Sequence, residues 1–171
     1  LGIIEGKPDG SYGPTENVDR AQMAKMLSVI MNKGVDNSAL YQSVNSGLTD
    51  ITSHWAKGHI NYCYTTGIIA GRGTGTFDPS ATVTALEAAK MLLVAVGYDP
   101  AIEGFEGADW AINVSVRADE QGIFEGFTKD LSAPLNRDDA ALLIYNALDV
   151  EMIQSYTTNN YPIVYSDHRT I

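Results

Sequence analysis

The sequence predicts a mainly α-helical protein of three repeated units, each a helix, a short strand-like segment, a loop and a second helix. Three observations carry this. A Gly-apolar-apolar-x-Gly step occurs three times, at Gly2 to Gly6, Gly67 to Gly71 and Gly122 to Gly126. Twelve residues after each first glycine stands a proline, at Pro14, Pro79 and Pro134. Each proline leads into an amphipathic helix whose start carries a capping residue. Chance spacing of Gly and Pro does not produce agreement that runs over most of a chain.

The first unit, residues 1–33, opens directly on its Gly step, so this repeat is truncated and lacks the leading helix of the other two. The turn-rich loop KPDGSYGP follows. Asp19 and Gln22 then form a capping box, and Met23, Met26, Leu27, Ile30 and Met31 recur at helical spacing. These methionines read as core filling. The second unit, residues 48–98, places Trp55, Ile60, Cys63 and Tyr64 near one side of a helix. That helix stops at Gly67, where a left-handed residue commonly ends one. Ile68-Ile69 reads as a very short extended segment and GRGTGTFDP as a loop. Thr84 with Glu87 then caps a helix bearing Ala88, Met91, Leu92 and Ala95. The third unit, residues 107–150, repeats the scheme with Trp110, Val114 and Ala118, a stop at Gly122, the pair Ile123-Phe124, and a shorter cap from Asn136 and Asp139. Trp55 and Trp110 each stand twelve residues before the Gly step. The stretches from Asn32 to Gly47 and from Gly97 to Gly107 read as connectors, and residues 151–171 as an exit segment or linker with a strand-like YPIVY. One unit is too small to bury its own apolar face. Three packed about a common pseudo-threefold axis solve that problem.

Composition narrows the function. Hydrophobic residues make up 44% and charged residues 19%, as in ordinary globular proteins. No apolar run approaches the roughly 20 residues of a membrane-spanning helix. The opening LGIIEGKPDG has no basic region followed by an apolar one, so a secretion signal is expected to have been removed or to lie outside this sequence. The net charge is −10, with no cluster of Lys or Arg to neutralise phosphates, which argues against a nucleic-acid partner. An anionic ligand has to be met instead by individually placed cations. Cys63 is the single cysteine and reads as a buried thiol.

The enzyme classes find no support. His54, His59 and His168 offer no helical i+3 or i+4 metal pair, and neither a G-x-S-x-G elbow nor an H-E-x-x-H motif occurs. PDGSYGPTEN and GRGTGTFDPS lack the alternating acids of a calcium loop, and GRGTG lacks the remainder of a phosphate-binding motif. No catalytic residue, metal site or cofactor is expected.

The stretch LTDITSHWAKGHINYCYTTGIIAGRGTGTFDPSATVTALEAAKMLLVAVGY closely resembles an S-layer homology repeat. Such repeats show an Asp before a Trp-Ala pair, the Gly step, a G-x-F-x-P turn, and Thr-Arg-Ala-Glu opening the last helix. Asp50, Trp55-Ala56, Gly67 to Gly71 and Gly75-Thr76-Phe77-Asp78-Pro79 stand here in that order, and the resemblance covers about Leu1 to Val150. It implies a pseudo-threefold bundle with grooves between repeats. It also implies noncovalent anchoring to the secondary cell-wall polysaccharide of bacteria with Gram-positive-type walls, often through a pyruvylated terminal sugar. The family's ligand-contacting arginine carries over to Arg20 in VDRAQ and Arg137 in LNRDD. A guanidinium fork suits a carboxylate. Trp55 and Trp110 are expected to offer sugars an apolar face, with Asp50 and the Gly steps at Gly71 and Gly126 beside them. The middle repeat reads Thr84-Ala85-Leu86-Glu87 and lacks the arginine, leaving Arg72 or Lys90 as substitutes. The third has three fewer residues between proline and arginine than the first. Each tryptophan is also readable as plain core, and each arginine as a solvated first-turn residue. The expectation is a secreted, cell-surface anchoring module. Its alternative is a protein–protein or self-assembly role in a surface layer without glycan binding.

Overall fold

The structure, a computed structural model, describes residues 3–6 and 9–171. Gly2, which opens the first Gly step, lies outside them. As expected, the chain is mainly helical. Among the described residues the helices are α1 (Arg20–Met31), α2 (Ser38–Tyr41), α3 (Lys57–Thr65), α4 (Ala85–Ala95), α5 (Trp110–Glu120) and α6 (Arg137–Ala147). Strands β1 (Ile153–Tyr156) and β2 (Pro162–Val164) form one small antiparallel sheet. The longest of these helices has 12 residues, and among the described residues none is long and apolar enough to cross a membrane.

Contacts divide the chain into two compact units. One comprises residues 1–83 and 134–137. Here the two-way capping box is present at α1: Asp19 accepts from the Gln22 N–H at 2.7 Å, and Gln22 accepts from the Asp19 N–H at 3.0 Å. Behind the cap, Met23, Leu27 and Ile30 are buried, with Ile51, Ile60, Cys63 and Phe77 filling the same core. Helix α3 packs on α1 and on α2. The α2 contact needs Gly58, because a Cβ there would lie 2.1 Å from the Ser38 carbonyl oxygen. Three short segments exchange backbone bonds in a closed ring. Val18 N–H donates to the Leu135 oxygen (2.8 Å), Leu135 N–H to that of Val83 (2.7 Å), and Val83 N–H to that of Val18 (3.0 Å). All three side chains are fully buried, so no water replaces these partners.

The other unit comprises residues 84–133 and 138–171. Thr84 and Glu87 form the second two-way capping box, and α4 packs on α5 around Leu92, Leu93, Phe105, Val114 and Ile123. The 151–171 stretch is more than an exit segment. Its hairpin is tied to the end of α4 by the Ile153 N–H, which donates to the Val96 oxygen at 2.8 Å. Close by, the Tyr156 hydroxyl donates to Glu103, and Glu103 accepts from Arg117.

Local details depart from the sequence reading. Ile68-Ile69 lies in a bend and Ile123-Phe124 in a turn, neither in a strand. Helix α3 starts at Lys57, so Trp55 precedes it, whereas Trp110 is the first residue of α5. The connector after α1 holds the short α2. Cys63 is buried as expected, its thiol donating to the Ala24 oxygen, and burial pushes its pKa far up.

Candidate functional site

A groove of about 200 Å³ opens in the first unit. That is below the usual ~300–1,000 Å³ of a small-molecule pocket, and so suits the end of a longer ligand. One wall is the backbone from Ile3 to Gly6. Another is the face of α1 that carries Gln22, Lys25 and Met26, which fall together because they are three and four residues apart. Trp55 and Arg137 complete it.

Arg137 reaches the groove from the start of α6. Its Nε donates to the Tyr12 oxygen at 2.8 Å and its Nη2 to the Glu5 oxygen at 2.7 Å, with the guanidinium 5.1 Å from the Tyr12 ring centre. The fork therefore clamps the first Gly step and presents positive charge beside Gly6. Lys25 supplies the second cation, its Nζ donating to a Glu5 carboxylate oxygen at 2.8 Å. That hydrogen bond, and then the charge of Lys25, hold the Glu5 carboxyl below the usual range. Trp55 is 58% exposed, unlike a core tryptophan, and leans on His54 and edge-on against His59.

Arg20 makes the same pair of bonds to the second Gly step. Its Nε donates to the Phe77 oxygen at 2.9 Å and its Nη2 to the Ala70 oxygen at 2.7 Å, with the guanidinium 4.6 Å from the Phe77 ring centre. Unlike Arg137 it is buried, only 4% exposed. Gly71 lies next to Ala70 and lines a hollow with Leu48, Tyr64 and Thr76. Arg72 is exposed and sits 3.9 Å from Asp78. Asp50 holds the turn: its carboxylate accepts from the Phe77 N–H at 2.9 Å and the Asp78 N–H at 2.7 Å. Burial tends to raise its pKa, but these backbone donors outweigh it and keep the carboxyl ionised below its ordinary value. They also secure Asp78, whose φ of +61° is otherwise unfavourable.

In the second unit, Trp110 is half-buried beneath Lys90, whose ammonium lies 5.7 Å from the ring centre. Burial lowers the Lys90 pKa while Glu106 pulls it back up. Gly126 adopts φ +76°, and a Cβ there would meet Leu142. Of the residues expected from the sequence, Arg137 and Trp55 thus meet in one groove, Arg20, Asp50, Gly71 and Arg72 gather about the second Gly step, and Trp110 and Gly126 belong to the second unit. The sequence reading missed Lys25 and Glu5. A usable signal existed for the lysine, since Lys25 and Lys90 each stand eleven residues after Pro14 and Pro79. Among the described residues no group of three or more His, Cys, Asp or Glu is placed to hold a metal ion.

A small helical unit with an open groove lined by two cations and an exposed tryptophan has the build of a binding module. Residues 1–24 and 47–89 match the S-layer homology domain. The chain belongs to the S-layer homology family, and that membership places it at the cell surface or cell wall. It is 30% identical over 155 residues to a cell surface protein of Thermoanaerobacter kivui, covering 90% of this chain and 19% of that protein. It is 33% identical over 103 residues to an S-layer protein of Bacillus licheniformis, covering 60% and 11%. It is also 31% identical over 101 residues to an uncharacterised cell wall amidase of Bacillus anthracis, covering 59% and 18%. The chain thus spans less than a fifth of the length of these relatives.

Proposed function

We propose that this chain anchors a surface protein noncovalently by holding the acidic end of a secondary cell-wall polysaccharide in the groove of the first unit. The observation that carries this reading is the meeting of Arg137, Lys25 and Trp55 around one stretch of open backbone at Gly6. Two cations meet a carboxylate such as a ketal-linked pyruvate, the indole covers an apolar sugar face, and a glycine lets the ligand approach the main chain. Arg20 has the same clamp on its own Gly step but is buried, so its part is to shape the loop around Gly71, while Arg137 takes the ligand. Trp110 and Lys90 form a cation–aromatic pair in the second unit that serves a sugar site of its own, with Gly126 and Arg72 peripheral.

The same reading divides the chain into repeats at 1–33, 48–98 and 107–150. The ring formed by Val18, Val83 and Leu135 supports it, since each residue precedes the cap of a repeat's last helix. Bond formation or cleavage has no part in this function. A catalytic activity, where the full protein has one, belongs to other domains.

Binding of the chain to cell-wall sacculi before and after acid stripping of the secondary polysaccharide tests the proposal. Binding is expected to vanish on stripping and to fall at least tenfold in Arg137→Ala or Trp55→Ala, while Arg20→Ala lowers thermal stability as well. Binding that survives stripping overturns the glycan reading in favour of a protein partner.

A further inference from the structure

We propose that Glu5 is a resident competitor of the acidic ligand, occupying Lys25 in the empty groove and setting how strongly an incoming carboxylate is held. This rests on the groove reading above and names its specificity-determining residue. The Glu5–Lys25 contact is 2.8 Å long, and its two ends differ in exposure: 63% for the Glu5 side chain and 30% for Lys25. The acid is therefore the member that swings into solvent, while the ammonium stays against α1.

Lys25 is the charged partner of that carboxylate among the described residues. The Glu5 main chain, in contrast, is pinned by the Arg137 Nη2 on its carbonyl oxygen. Displacing the side chain thus leaves the groove wall intact. A neutral sugar leaves the pair in place and gains nothing from Lys25. An acidic sugar exchanges one carboxylate for another and gains only the difference, so its affinity has to be completed by Arg137 and Trp55. A small free carboxylate lacks the sugar contacts and binds poorly. The pairing is particular to this repeat. Ala70 stands at the corresponding place in the second, where the lysine recurs as Lys90, and the third has Glu125 but Leu142 in place of the lysine.

Glu5→Gln removes the charge and keeps the backbone clamp. Exposed pairs of this kind shift an equilibrium by at most about fivefold. Isothermal titration of the full chain with purified secondary cell-wall polysaccharide should then show binding about two- to fivefold tighter in the variant. The same polymer with its pyruvate removed by mild acid should bind both proteins alike.

A second measurement does not need the glycan. With lysines reductively methylated using labelled carbon, potassium pyruvate should shift the Lys25 methyl resonance at a several-fold lower concentration in Glu5→Gln than in the parent. An unchanged pyruvate response, or, where the parent binds the polymer, binding by the variant that is equal to or weaker than the parent's, overturns the role of Glu5. A heightened pyruvate response in a chain that ignores the polysaccharide upholds Glu5 and overturns the anchoring proposal instead.

Discussion

His59 shows how one residue ties the core to the groove. Its ring is buried, its Nδ1 lies 2.6 Å from the Ser28 hydroxyl, and its Nε2 lies 3.8 Å from Asp36. The hydroxyl already donates to the Lys25 oxygen at 2.9 Å, so Nδ1 carries the ring proton and Nε2 is the atom left to titrate. Burial lowers the imidazole pKa most, Asp36 pulls it back up, and Lys25 lowers it further. The folded chain therefore resists the proton that the unfolded chain accepts near pH ~6.5. It follows that stability is full above that value and is lost as pH falls from about 6.5 toward the lower folded value. Thermal unfolding followed between pH 7.5 and 5.5 should show a falling midpoint that is flattened in His59→Gln. The carboxylates lie in a different window, since Asp36 and Asp50 have lowered values and give up their stabilisation only in stronger acid.

At the scale of elements, the helix starts were legible because they rest on local chemistry. An acceptor side chain followed three residues later by Gln or Glu marked α1 and α4, and both boxes close in both directions. Asp19→Ala should cost about 1 kcal/mol of stability, and Thr84→Ala a similar amount, measured by urea unfolding. The start of α3 was less legible. Trp55 lies at a spacing that fits a helix, but the chain turns through residues 51–56 first and leaves the indole exposed. Hydrophobic periodicity records which residues alternate along a face, not whether that face is covered. The arginines show the same limit. Arg20 and Arg137 look alike in sequence and make the same clamp, yet one is buried and the other lines the groove, because burial is decided by segments distant in the chain. The Glu5–Lys25 pair was invisible for that reason too.

The first unit as a whole is organised by its ring of three backbone bonds. Leu135→Pro deletes the N–H that donates to Val83 and opens the ring while keeping an apolar residue. The expected result is a loss of about 1–3 kcal/mol, with faster hydrogen exchange at the Val18 and Val83 amides, since a buried carbonyl would be left without its partner. A loss confined to α6, with those two amides still protected, would show that the ring is incidental. The ring also orders events in time. Its third member enters the chain long after the first two, so on a ribosome the Val18 amide waits for its acceptor until Leu135 has been made.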